Sequence, residues 1–209
     1  MTYRLQEGEI EANAAIARDC ASLGYQIESP WDYVGSHSKY PWTREIAEVF
    51  ARHLRRPYPP RVLEGLMFAG SWLETKDLFF EPVLTILRKN GDNFLGQSAV
   101  HALLKMIEHS DVNLLHDLIT DKTIGVSRSL LIEGYAKLAK KEAIVPLRRN
   151  VSDPVVRVQV LKALSKLGDQ TIRGELGELL KHSGSEFRKI ARDGLARLDK
   201  KAEKTKKLN

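Results

Sequence analysis

The sequence predicts an all-α fold, a stack of antiparallel helix pairs with one extra helix in front, and three observations carry that reading. The first is a recurring apolar face at offsets three, seven and ten from an anchor residue. From Arg128 it runs Leu131, Tyr135, Leu138; from Arg157, Val160, Leu164, Leu167; from Arg188, Ala191, Leu195, Leu198. Such spacing marks one side of a helix. The second is the interval. Extended back to Gln97 (Val100, Leu104, Ile107), the frame returns in steps of 31, 29 and 31 residues, and a fixed step of that size is the mark of stacked repeats. A looser copy starts near Pro60, with Leu63, Met67 and Gly70. The third is the lack of a convincing strand. Val155, Val156, Val158 and Val160 have β-propensity, but their spacing fits the helical frame better.

Taken in order, residues 6–23 read as an amphipathic helix with glutamates in its first turn, where the helix dipole favours them. Ile10, Ala14, Ile16, Ala17 and Leu23 are expected to face inward, and Gly24 to stop the helix. This helix would cap the array, because a terminal repeat otherwise exposes its apolar side. Residues 24–42 follow, with Tyr25, Trp31, Tyr33, Tyr40 and Trp42 interleaved with Pro30, Gly35 and Pro41, which forbid a continuous helix. Two readings stand for these rings: a loop packed inward on the first pair, or an aromatic binding edge.

Thr43 caps the next helix, and the prolines of 57–60 separate it from its partner, in which Gly65 and Gly70 allow close helix contact. Residues 77–90 contain Pro82 near the start of a helix that Asn90-Gly91 ends. Pro146 falls inside a later first helix. Asp153-Pro154 reads as N-cap and first helical residue, and Gly168 as the stop. Domain organisation is therefore 1–42 as cap and aromatic loop, 43–199 as the repeat array, and 200–209 as a basic tail, too polar to pack and expected to be disordered.

The segments GVSRSLLIEGYAKL (125–138) and SDPVVRVQVLKALSKLGD (152–169) resemble the second helix of small bacterial HEAT-like repeats, where a short turn, an arginine and a leucine-rich face follow in that order. The resemblance covers about residues 43–198. It implies a short right-handed α–α superhelix of about five helix pairs, with one helix of each pair on an inner face. It also implies a non-enzymatic protein-binding role, as a scaffold or as an immunity-type protein that neutralises a toxin by occluding it. The alternative it implies is a nucleic-acid-binding protein related to the HEAT-like glycosylases that remove alkylated DNA bases. Those enzymes use a basic cleft with tryptophans and a catalytic aspartate. Here Trp31, Trp42 and Trp72 all fall in the acidic half, and no aspartate matches a motif.

Charge is unevenly placed. Residues 1–127 carry 13 Lys and Arg against 17 Asp and Glu, a net −4, whereas 128–209 carry 20 against 10, a net +10. That asymmetry suits a partner with an acidic surface. A single cysteine, Cys20, excludes an internal disulfide and fits a reducing cytoplasm. No window is apolar enough to span a membrane, and the first 25 residues carry Glu7, Glu9 and Glu11 in place of a signal peptide's apolar run.

The partner-binding candidates are Trp31, Tyr33 and Trp42 on the aromatic edge, the ladder Arg128, Arg157 and Arg188, and Lys162 with Lys166. The arginines either pair structurally, with Asp121 or Asp153, or form a row that grips carboxylates or phosphates. Glu133 with Lys137, Lys162 with Lys166, and Asp193 with Arg197 occupy offsets five and nine of successive second helices. Their mixed sign suits a protein partner better than a phosphate backbone. The six histidines form no metal-binding motif and read as packing or surface residues. No phosphate-binding loop, nucleophile motif or cofactor signature is present.

Overall fold

The computed structural model describes residues 5–34 and 41–206; Gly35, His37 and Tyr40 of the aromatic segment and residues 207–209 of the tail lie outside them. Among the described residues every regular element is helical, with no strand. None of these helices is long and apolar enough to cross a membrane. The chain divides into two units, Met1–Ile107 and Glu108–Asn209.

The first unit contains α1 (Glu7–Ala21), α2 (Pro30–Val34), α3 (Arg44–Leu54), α4 (Pro60–Gly70), α5 (Lys76–Asn90) and α6 (Phe94–Met106). Helices α3 and α4 form one pair and α5 and α6 the next; α3 lies on α5, and α4 on α6. Helix α1 covers α3 and α4, and α2 rests on α4. Local chemistry sets these limits. The Thr43 hydroxyl accepts the Ile46 N–H, as its N-cap position requires. Pro60 opens α4 as its first residue, where a missing N–H does no harm. Pro82 sits seventh in α5, deeper than expected. The carbonyl four residues back, that of Leu78, thus loses its helical partner. An Arg55 guanidinium N–H donates to that oxygen at 3.4 Å instead.

The inward face of α1 differs from the expected one. Ile16 is fully buried, but Ile10 is 54% and Leu23 41% exposed, and the buried set is Glu9, Ala12, Asn13, Ile16 and Cys20. Polar bonds at both ends fix the rotation. Glu9 accepts the Gln6 N–H at 2.8 Å in a capping box, and Asp19 turns toward His53 of α3.

The second unit contains α7 (Val112–Thr120), α8 (Arg128–Ala139), α9 (Ile144–Arg148), α10 (Arg157–Leu167), α11 (Arg173–Leu180) and α12 (Ser185–Lys206). Its pairs are α7/α8, α9/α10 and α11/α12, and the second helices lie in a row, α8 on α10 and α10 on α12. Leu131 and Tyr135 of α8 and Val160 and Leu164 of α10 are buried, as offsets three and seven of the repeat frame expect. Leu138 and Leu167 at offset ten are only half-buried, and Ile132 and Leu161, outside the frame, are buried beside them. Gly168 stops α10 in the left-handed conformation (φ 89°), its N–H returning to the Leu164 carbonyl.

Three boundaries differ from expectation. Helix α10 begins at Arg157, not Pro154. Asp153 caps a preceding turn, accepting the Val155 N–H, while its other oxygen is held by Arg128. Pro146 lies near the start of a short α9 that follows a 3-10 turn over Lys140–Ala143. The tail expected to be disordered continues α12 to Lys206. The Gln97 frame also slips by one residue. Ala99, Leu103 and Met106 of α6 are fully buried, whereas Leu104 and Ile107 are only half-buried. In the corrected frame Lys105 corresponds to Lys137, Lys166 and Arg197.

Candidate lysine-rimmed groove

The rotation that buries Leu131 and Tyr135 of α8 turns Glu133, Ala136 and Lys137 outward. The same rotation of α10 turns out Gln159, Lys162 and Lys166, with half-buried Leu167 and buried Ala163 beneath them. These residues line a groove of about 300 Å³. Its apolar lining is Ala136, Ala163 and Leu167, the two alanines being too small to fill the space between neighbouring helices. Its rim is charged. Lys166 Nζ meets Glu133 Oε1 across the two helices at 2.5 Å. That hydrogen bond, then the charge of Lys166 and that of Lys162, hold the Glu133 carboxyl below its usual range. The ammonium of Lys201, on α12, donates to the Lys166 carbonyl at 2.6 Å and so satisfies one of the last acceptors of α10.

The three arginines of the predicted ladder sit in different settings, and Arg128 takes the structural role. Arg128 is 2% exposed. Its Nη1 donates to Asp153 Oδ2 at 2.9 Å and to the Ile119 carbonyl at 3.3 Å, and Nε donates to the Gly125 carbonyl. One guanidinium therefore ties the end of α7, the turn after it and the loop before α10. Burial raises the Asp153 pKa, but the Arg128 hydrogen bond and the Val155 N–H outweigh it, leaving the carboxyl below its usual value. Arg188 donates to the carbonyls of His182 and Ser183 in the turn before α12. Arg157 is half-buried, with a buried Nε that has no hydrogen-bond partner. Of the predicted cationic candidates, the groove holds Lys162 and Lys166 alone.

The sequence reading missed Arg148. It grips Asp169 with two nitrogens, at 2.6 and 2.5 Å, and Asp169 also accepts the Thr171 N–H and hydroxyl. Asp121 holds Thr123 in the same way. The repeated Asp-x-Thr at 121–123 and 169–171 was the signal available.

The aromatic candidates belong to the first unit, where Tyr33 is a core residue. It is 1% exposed, stands edge-on to Trp42 and Phe50, and donates its hydroxyl to the Pro41 carbonyl at 2.7 Å. Trp42 is half-buried against the same rings. Trp31, also half-buried, donates its indole N–H to the Arg61 carbonyl, stands edge-on to Phe68 and lies under the Arg61 guanidinium. The inward-packed reading therefore holds for Tyr33.

A second polar cluster joins α1 to α3. His53 is fully buried, with Nε2 3.0 Å from Asp19 Oδ2 and Nδ1 2.9 Å from the Tyr58 hydroxyl. Arg52 donates to the same Asp19 oxygen, and Arg56 to Tyr58. Burial lowers the His53 pKa more than Asp19 raises it, and the charges of Arg56 and Arg52 lower it further. Neighbouring Cys20 is also buried, which pushes its thiol up to about 12 and leaves no thiolate nucleophile at neutral pH. With its folded pKa below the unfolded ~6.5, His53 contributes stability that is fully present above that value. The contribution is lost as pH falls below it. Urea midpoints should drop between about pH 7 and 5 in the natural chain. The slope should be smaller in His53→Gln, whatever that variant's absolute stability. Asp19, whose pKa is lowered chiefly by His53, adds a loss only in the more acidic range where carboxylates titrate.

Among the described residues no group of three or more His, Cys, Asp or Glu side chains could hold a metal ion. The fold and groove define a class only broadly: an all-helical protein whose helix pairs present a lysine-rimmed apolar groove. No family model matches the chain, and no significant similarity to a curated protein or to a solved structure was found.

Proposed function

We propose that this chain is a non-enzymatic protein-binding module of the HEAT-like kind, a short right-handed superhelix of helix pairs that acts as a scaffold or, in the manner of an immunity protein, by occluding its partner. The observation that carries this reading is the α8–α10 groove, in which an apolar floor lies between Lys137, Lys162 and Lys166 with Glu133 among them. Apolar floors supply affinity, and charged rims set association rate and choice of partner. The experiment places a photo-crosslinking amino acid at Gln159, which lines the groove, and exposes the full chain to lysate. The expected result is a protein adduct that disappears in the Lys162→Glu/Lys166→Glu variant. Adducts indifferent to that reversal would contradict the reading.

The nucleic-acid alternative draws on the net +10 of residues 128–209. It predicts duplex binding that weakens steeply between two salt concentrations and survives removal of residues 200–209. Glu133, set among the lysines, speaks against it, since a phosphate backbone repels a carboxylate placed there.

A further inference from the structure

We infer that the groove between α8 and α10 receives an acidic segment of the partner carrying an aliphatic side chain beside a carboxylate, and that Glu133 holds the carboxylate's place until the partner arrives. This rests on the protein-binding reading above and names the chemistry of the same site. Glu133 is the one acid in the lining, and it belongs to α8, whereas the lysines that lower its pKa, Lys166 and Lys162, both belong to α10. The site is therefore already organised around a carboxylate.

The Lys166–Glu133 pair is easily exchanged. Its side chains are 44% and 67% exposed, and ion pairs that wet contribute little. Replacing Glu133 by a partner's carboxylate is close to neutral, so the net gain comes from covering the half-buried Ala136 and Leu167 with an aliphatic group that rests on the already buried Ala163. A groove of about 300 Å³ accommodates one large aliphatic side chain with its flanking backbone. Lys137, on the α8 side, offers a cation for a second carboxylate. The lining contains no aromatic ring, so bases of a single-stranded nucleic acid would find no surface to stack on.

The test is fluorescence anisotropy on the full chain, with a short labelled peptide of glutamates around a central leucine. Binding should weaken about tenfold when the leucine becomes serine. It should weaken about three- to fivefold in Lys162→Gln/Lys166→Gln, as the loss of two exposed ion pairs allows. Glu133→Gln should tighten it about threefold, because the resident carboxylate no longer competes. A single-stranded oligonucleotide should fail to displace the peptide. All three altered side chains are half-buried or exposed, and unchanged urea midpoints would show that the variants fold.

Unaltered or weaker binding in Glu133→Gln would overturn the place-holding role. Displacement by the oligonucleotide, or indifference to the lysine variant, would overturn the acidic-segment assignment. If the Gln159 crosslink gives a lysine-dependent protein adduct while the peptide fails to bind, the partner chemistry falls and the protein-binding reading stands. If neither forms, both fall.

Discussion

Replacing Arg128 with methionine is expected to lower stability by about 3–5 kcal/mol, because it leaves Asp153 without its buried counter-charge. The Arg128 and Asp153 side chains are only 3% and 14% exposed, so water replaces the lost partner poorly. The same substitution frees the Ile119 and Gly125 carbonyls, which the guanidinium binds at 3.3 Å each. Arg128→Lys should recover little of this. One ammonium cannot reach a carboxylate and two carbonyls in three directions as a planar guanidinium does. The comparison that isolates the pair is Arg128→Met with Asp153→Asn. Their effects should be clearly less than additive in urea unfolding, since each breaks the same network. A fully additive pair would mean that the two residues act separately.

Gly96→Ala should cost several kcal/mol, more than the usual ~1–3 kcal/mol of overpacking, because the obstacle is backbone. A Cβ at Gly96 would stand 2.0 Å from the Asn90 carbonyl oxygen and 2.6 Å from its carbon, where α6 starts against the end of α5. Gly70, on α4, meets a comparable limit in the Phe79 ring, 2.0 Å away. Gly177, in α11, provides the contrast. Nothing lies within 4 Å of its added Cβ. Gly177→Ala should therefore stabilise the chain by about 0.5–1 kcal/mol through helix propensity and reduced unfolded-state freedom. Thermal or urea midpoints that move the same way for both substitutions would contradict the packing of α5 on α6.

How legible this was depended on how local each cause is. The Thr43 cap, the Pro60 start and the Gly168 stop are chemistry within one turn, and each could be read directly. The inward faces of α8 and α10 followed from periodicity at offsets three and seven, while Leu138 and Leu167 at offset ten lie at the margin of each face and stay half-buried. In α1 the same reasoning failed. Alanines mark several faces of that helix equally, and its rotation is set by Glu9 and by Asp19's bond to His53, more than thirty residues away. The Gln97 frame slipped because Val100, Leu103 and Leu104 offer two apolar registers, and only packing on α5 chooses between them.

The groove was partly visible. Glu133, Lys137, Lys162 and Lys166 stood out by their repeat positions, but the cross-helix Lys166–Glu133 bond and the floor left by two alanines depend on how α8 meets α10. Arg128 illustrates the opposite difficulty. Its repeat position suggested a binding row as readily as a structural tie. What decides the matter is its burial with Asp153, which no interval in the sequence reports. Tyr33 is similar, since an aromatic-rich segment reads the same whether its rings face in or out.

The most direct test of the groove as the binding surface is a methyl NMR titration of the full chain, alanine-labelled, with the glutamate–leucine peptide. The methyl resonances of Ala136 and Ala163 should move together and saturate at the affinity found by anisotropy. Those of Ala47 and Ala69, buried in the first unit, should stay in place. Shifts confined to alanines away from α8 and α10, or a bound peptide that leaves Ala136 and Ala163 unmoved, would contradict it.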